Sequence, residues 1–433
     1  MIQQRVLESG ARVLFDTVDT TDTVCIGFWF LLGSRDEAPG GVEYSSSSPR
    51  IAGERGFAHF LEHMLFKGTE RRTAFQIAKD LDRVGGFLNA FTERESTCFY
   101  AVLPQEHLPL AVDVLADMVF HSLLDAGEIE KEKSVVVNEI LSYQDSPEEQ
   151  AHEAYLFGLW GDHPLARKIT GEVADVQGIG RDALWSFYRS NFTSDRLVVS
   201  VAGRFDVERT YDQLSQAIDG RRADAEPPLR EAPSKTFTWA HRKDRFKQVQ
   251  IYTGTTVPMV PGEHGPLYDA LTFSNAVGES MSSRLFQKIR EEYALCYSIS
   301  CFRSLYTDTS LWTIYSNSSP DLVAPLLRAV NEELARLKTE PLTGDEVEDA
   351  KSHLKGTLIL SKEDMEVRMK RLVRQHSLVG RVLEYEQSLR LIDEVTRERV
   401  LDVARQILNS ENFNLVVYGE RRIKGFKDVR FNF

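Results

Sequence analysis

The spacing of apolar residues along this chain changes period repeatedly, and each change marks an element. From 23 to 32 the apolar run is almost unbroken. Val24, Ile26, Phe28 and Phe30 alternate with Cys25, Gly27 and Trp29, which predicts a strand in a covered sheet. Residues 12–15 predict an earlier strand. Over 73–84, Phe75, Ile77, Ala78, Leu81 and Val84 recur at helical spacing, and the pattern stops at Gly85-Gly86. Residues 87–92 and 97–103 predict two more strands. Pro104 then opens a helix with Leu108, Ala111, Val112, Leu115, Met118 and Val119 on one stripe. A helix over 128–143, a buried strand over 196–203 and a helix from Val207 complete this part. Between 220 and 234 the periodicity disappears into Arg221-Arg222-Ala223-Asp224-Ala225-Glu226-Pro227-Pro228 and Pro233, a polar, proline-bearing linker.

Beyond the linker the plan repeats. Strands are predicted at 249–252, 295–300 and 310–315, and helices at 267–277, 283–292 and 322–337. The strand at 310–315 parallels 97–103, the run from Gly344 parallels that from Gly127, and 415–419 parallels 199–203. The fold class is therefore α+β: two homologous α/β-sandwich halves from an internal duplication, spanning 1–219 and 235–433.

Composition narrows the function. Hydrophobic content of 42% and charged content of 27% are those of a soluble globular protein. A net charge of −13 argues against nucleic acid and is compatible with basic peptides. No run of about 18 apolar residues predicts a membrane span, and the first residues carry no secretory pattern. Cys25, Cys98, Cys296 and Cys301 have no zinc-like spacing and read as buried reduced thiols. A bacterial cytoplasmic protein is expected, or alternatively a mature one of the mitochondrial matrix.

One stretch carries chemistry. His59 and His63 lie four apart with Glu62 between them, so the three share a helix face. Two imidazoles one turn apart can grip zinc, and the carboxylate beside them can take a proton from water, the inverted form of a zinc-protease motif. The alternative is a core helix with two satisfied histidines. In the predicted helix 128–143, Glu132, Val135, Val136 and Glu139 fall at i, i+3, i+4 and i+7. Acids on an apolar stripe call for a partner, unless they simply reach solvent at its rim. The corresponding part of the second half, around Ala276-Val277-Gly278, has no histidine pair, although His353 lies near the counterpart of Glu139.

These residues, together with Gly85-Gly86-Phe87-Leu88-Asn89-Ala90-Phe91-Thr92, Val137-Asn138-Glu139-Ile140 and the segment from Ser282 through Arg290 to Tyr297, resemble the pitrilysin/insulinase family of zinc peptidases. The likeness covers nearly the whole chain. It is closest to the two-domain bacterial peptidases and to the beta subunit of mitochondrial processing peptidase. It implies a clam-shell, a homodimer, and one zinc ion per chain held by His59, His63 and Glu139, with Glu62 as general base and Glu132 as outer support. Phe66 matches a residue shaping the pocket after the scissile bond. Asn89, Ala90 and Phe91 match an exposed strand edge to which substrate adds as another strand. Arg290 and Tyr297 match a pair that holds substrate carbonyls and the oxyanion, where the residues alone read as a helix arginine and a strand tyrosine. Glu149 and Glu153, spaced i, i+4, resemble acids that receive a substrate arginine, or are a solvated helix face.

The loop 40–51 is about ten residues longer than the family implies, as a lid or partner contact would be. The implied function is a zinc-dependent endopeptidase acting on short or unfolded, basic peptides held extended in an enclosed chamber. The alternative is a noncatalytic scaffold subunit resembling the core proteins of respiratory complexes. Such relatives usually lose a ligand or the base, and here His59, Glu62, His63 and Glu139 are all present.

Overall fold

The computed structural model describes residues 2–38, 53–223, 229–234, 237–258, 264–419, 423 and 425–433. The long loop expected at 40–51 and the middle of the linker lie outside these residues. The first half builds a six-stranded sheet from β1 (Ile2–Val6), β2 (Arg12–Thr17), β3 (Thr23–Phe30), β4 (Phe87–Thr92), β5 (Thr97–Pro104) and β6 (Leu197–Gly203), in the order β1-β2-β6-β3-β5-β4. The second half builds a five-stranded sheet from β7 (Trp239–Lys243), β8 (Val249–Pro258), β9 (Ser298–Leu305), β10 (Thr309–Ser318) and β11 (Asn414–Gly419), in the order β7-β11-β8-β10-β9. β2 runs parallel to β6 and β7 parallel to β11, while the other pairs are antiparallel. Apart from β1, the two sheets therefore share one connectivity, as a duplication requires.

Each sheet packs one face against helices of its own half. The opposite faces are covered by an exchange. The helix Met365–Val379 of the second half lays Met365, Met369, Leu372 and Val373 on Leu14, Cys25, Trp29 and Val198 of the first sheet. The helix Pro147–Trp160 of the first half lays Tyr155, Leu156 and Leu159 on Tyr252, Leu311 and Val416 of the second. A glycine at mid-strand makes room in both cases. A Cβ on Gly27 would meet Met369 Sδ at 2.6 Å, and one on Gly254 would meet the Tyr155 hydroxyl at 2.7 Å.

The described end of the linker is no free spacer. Arg230 donates to both carboxylate oxygens of Asp36 at 2.8 Å and to the carbonyls of Leu31 and Glu95 at 3.0 Å. Arg35 beside it reaches Asp308 of the second half at 2.9 Å.

Several predicted boundaries move. Pro104 closes β5 rather than opening a helix; the turn Gln105–His107 intervenes, and the helix runs Leu108–Phe120. The helix Gly265–Ser274 widens into a π turn over Asn275–Glu279, and Phe286–Glu292 is π-helical as well. Gly278 there lies so close to β9 that a Cβ would meet Cys301 Sγ at 2.3 Å. β9 begins at Ser298, so Leu295, Cys296 and Tyr297 precede it. All four cysteines are free, with Cys296 only half-buried.

Candidate active site

The helix carrying the histidines runs Phe57–Leu65. Phe57, Phe60, Leu61, Met64 and Leu65 enter the first core, so His59, Glu62 and His63 take the remaining face. Its N-terminus has no side-chain cap, because Gly56 occupies that position at φ +79°, and a Cβ there would meet the Thr170 carbonyl at 2.6 Å. The cap comes instead from Glu37. Its buried carboxylate accepts from the N–H groups of Gly56 and Ala58, each at 2.9 Å. The second helix, Ala126–Gln144, is capped by Asp125 and sinks Ile129, Val136 and Ile140 into the same core. Glu132 follows them into burial, Glu139 stands at the rim, and Val135 turns to solvent.

Packing the two helices together brings His59, His63 and Glu139 to one place. One ligand atom from each lies within 4.8 Å of the other two, and among the described residues no other such group forms. His59 Nε2 is 3.6 Å from Glu139 Oε1, and His63 Nε2 is 3.4 Å from Glu139 Oε2. Behind them, His63 Nδ1 meets Glu132 Oε1 at 2.9 Å, and Glu132 Oε2 meets the Lys67 ammonium at 2.5 Å. Hydrogen bonds to His59 and His63 hold the Glu139 carboxyl far below its ordinary range against its burial. Burial disfavours the charged His63 ring, but Glu132 and Glu139 overcome this and push it up to about 9. Burial also raises the Glu62 carboxyl, although its Oε2 accepts a hydrogen bond from Thr92 Oγ1 at 2.6 Å.

The donor set fits zinc. Glu139 Oε2 is buried, and at 3.4 Å from His63 Nε2 the contact is too long for a well-formed hydrogen bond, as expected of two atoms that both turn toward one ion. Glu132 fixes Nδ1 of His63 and leaves Nε2 turned toward Glu139, as in a carboxylate–histidine–metal arrangement. Two imidazoles and one carboxylate are a catalytic zinc donor set, with a position left over.

The other predicted residues are distributed more widely. β4 pairs with β5 on one side and, among the described residues, is the edge of its sheet, so Asn89, Ala90 and Phe91 lie on an edge strand beside the histidine helix. Ala90 packs toward the core. Phe91 faces the other way, 5.3 Å from the Trp29 ring and under the Lys370 ammonium of the second half. Phe66, at the C-terminus of the histidine helix, packs on Phe99 at 6.2 Å. Arg290 and Tyr297 touch each other, with Arg290 Nε donating to the Tyr297 carbonyl at 2.8 Å. Their remaining polar and ring contacts, to Glu291 and Phe286, stay within the second half, and Tyr297 is 77% exposed. The structure does not bring this pair into contact with the histidines.

Glu149 is exposed on the helix Pro147–Trp160. Glu153 is 3.4 Å from Lys168 and lines a cavity of about 810 Å³ that also holds Arg55, Arg167 and Lys243. These two acids join neither each other nor the cluster.

Sequence reasoning missed Thr92, Lys67 and Glu37. Thr92 closes the motif that begins at Gly85 and Lys67 lies four residues past His63, so proximity was the available signal, whereas Glu37 is 19 residues before the turn it caps.

Fold and cluster together define a duplicated α/β protein with a metal-type site of two imidazoles and one carboxylate in its first half. The chain belongs to the insulinase family of peptidases, family M16: residues 12–173 match the profile "Insulinase (Peptidase family M16)" and residues 178–354 that of the "Peptidase M16 inactive domain". It is 35% identical over 417 residues to the uncharacterized zinc protease YmxG of Bacillus subtilis, covering 95% of this chain and 97% of that protein. It is also 35% identical over 414 residues to the uncharacterized zinc protease ML0855 of Mycobacterium leprae, covering 93% and 88%. A zinc-dependent peptidase is the class these names support.

The fold matches a protease from Helicobacter pylori with a TM-score of 0.86 at 18% identity, over 97% of this chain and 99% of that one. A chain of Complex III2 from Candida albicans matches at 0.80 and 16% identity, over 97% and 96%. Fold alone therefore does not separate peptidase from subunit. No helix among the described residues is long and apolar enough to cross a membrane.

Proposed function

We propose that this chain is a zinc endopeptidase that hydrolyses short or unfolded, basic peptides, bound as an added strand within the clam-shell. The observation that carries this reading is the convergence of His59, His63 and Glu139, with Glu132 behind His63 and Glu62 alongside. His59, His63 and Glu139 would hold zinc, which when bound supplies Lewis-acid chemistry that makes water more acidic and polarises the scissile carbonyl. Glu132, itself held by Lys67, keeps His63 in the tautomer that presents Nε2. Glu62 takes a proton from the attacking water and returns it to the leaving nitrogen. Its burial raises its proton affinity, which suits a group that must both take and give.

The free edge of β4 offers backbone groups to an extended peptide with little demand on sequence, and Phe66 lies near enough in the chain to shape the pocket beyond the bond. Arg290 and Tyr297 would come to the substrate from the second half and donate to its carbonyls and to the developing oxyanion. The net charge of −13 favours basic peptides. The family resemblance carries the expectation of a homodimer, checked by the mass of the particle in solution.

The experiment is metal analysis together with cleavage of a quenched, arginine-containing unfolded peptide, with Glu62→Gln as control. One zinc per chain and cleavage reduced by about three orders of magnitude or more in the variant are expected. Full zinc occupancy with no cleavage of any unfolded peptide would favour the noncatalytic alternative. Cleavage surviving in Glu62→Gln would remove Glu62 from the mechanism.

A further inference from the structure

β4 ends at Thr92, and the two faces of this edge strand do different work. Leu88 and Ala90 point into the first core, and by the two-residue repeat of a strand Thr92 shares their face. At this last position the neighbour is not a core side chain but Glu62, whose Oε2 accepts from Thr92 Oγ1 at 2.6 Å. Phe91, on the opposite face, packs on Trp29 and under Lys370. The same short strand therefore touches the acid next to the histidines, contacts a helix from the other half, and has no strand on its outer edge among the described residues.

A hydroxyl bound to one oxygen of a carboxylate does two things. It stops the carboxylate turning about its terminal bond, which is otherwise a broad torsion. It also makes the two oxygens unequal: one lone pair of Oε2 is taken by the hydroxyl, which makes Oε1 the more basic oxygen and favours it for the proton taken from water. Hydrogen bonds to charged groups are stronger than those between neutral ones, and this one is short and partly buried.

We propose that Thr92 is a positioning residue for the peptidase reaction: it fixes the Glu62 carboxylate with Oε1 free for the proton, and it ties that carboxylate to the strand edge that receives the substrate. This rests on the peptidase reading above. A substrate strand pairing with β4 then settles against the element that holds the base, so docking and proton transfer share one register. Neither Thr92 nor its neighbours Glu93 and Arg94 belongs to the histidine–carboxylate cluster, and removing the hydroxyl leaves all three donors in place.

The test compares Thr92→Ser, which keeps the hydroxyl, with Thr92→Ala and the near-isosteric Thr92→Val, which lack it. The parent enzyme must first cleave the quenched peptide; if it does not, the peptidase reading fails before Thr92 is addressed. With an active parent, Thr92→Ala and Thr92→Val should lower kcat by about tenfold or more at unchanged KM, and Thr92→Ser should recover most of it. Zinc per chain should match the parent in all three variants. In a Glu62→Gln background, adding Thr92→Ala should leave the Kd of the uncleaved peptide unmoved. Equal kcat for Thr92→Ser and Thr92→Ala overturns the proposal, even if Thr92→Val fails to fold. A loss confined to KM, or loss of zinc that accounts for the loss of rate, also overturns it.

Discussion

A histidine that binds metal through one nitrogen is only as well aimed as the partner on its other nitrogen. Glu132 supplies that partner for His63, and Lys67 holds Glu132 in turn at 2.5 Å. Glu132→Gln keeps the shape of the side chain but weakens both contacts and leaves Lys67 without its carboxylate. Zinc affinity, measured by competition with a chromophoric chelator, should fall roughly 10- to 100-fold while the fold is retained. Unchanged affinity would mean that His63 is oriented by packing alone. The sequence made Glu132 visible through its place on an apolar stripe, but Lys67 had no such mark. It became part of the site only because two helices cross.

Among elements, the two exchanged helices are seated by close contacts. Each lies on a central strand at a glycine, Gly27 under Met369 and Gly254 under Tyr155. A methyl group at Gly27 must displace the Met369 side chain or the Trp29 ring, and one at Gly254 meets the Trp312 carbonyl of β10 at 2.0 Å as well as the Tyr155 hydroxyl. Gly27→Ala and Gly254→Ala should each cost about 1–3 kcal/mol in urea unfolding, although alanine normally suits a strand no worse than glycine. No cost at Gly27 would mean that Met369 moves aside freely, and none at Gly254 that β8 and β10 can part there.

The seat of the helix Pro147–Trp160 also predicts a pH dependence. His152 lies 5.6 Å from the Tyr252 ring, and burial, helped by Arg94, lowers its pKa to about 4. The unfolded chain takes up this proton near pH 6.5, before the native one does. The associated stability is therefore complete above about pH 6.5 and is lost as pH falls toward 4, amounting to no more than about 3 kcal/mol. His152→Gln should lose less stability than the parent between pH 7 and pH 5. Equal losses in the two proteins would assign the acid sensitivity to other groups.

At the scale of the molecule, the exchange means that neither half is a closed body. The first sheet without Met365–Val379 would expose Leu14, Trp29 and Val198, and the second without Pro147–Trp160 would expose Tyr252, Leu311 and Val416. Arg368 adds a paired contact to Asp16, at 2.9 and 3.0 Å. Two chains made by breaking the linker between Glu226 and Pro227 should therefore co-elute on gel filtration when expressed together, and the first half alone should aggregate. Separate elution of two soluble, folded halves would contradict the exchange. β4 is a point where the two halves meet, since that strand carries Thr92 toward Glu62 and Phe91 toward Lys370.

The sequence by itself determined the duplication, the alternation that makes β3 a buried strand, and the placing of His59, Glu62 and His63 on one helix face; Glu132 and Glu139 stood out as acids on an apolar stripe, and the family resemblance gave them their roles. These are local facts: a period, a repeat, or a residue type at a fixed step along one helix. What it could not determine depends on which surfaces meet. The cross-over of the two helices, the cap that Glu37 gives to the histidine helix, the π turns before β9, and the grip of Thr92 on Glu62 all join residues whose spacing carries no periodic signal. The linker illustrates the same limit. Its composition marked a polar, proline-bearing linker without periodicity and nothing more, yet Arg230 is held by Asp36 and two carbonyls, because a buried guanidinium requires partners for its donors. Tertiary packing alone decides where such partners come from.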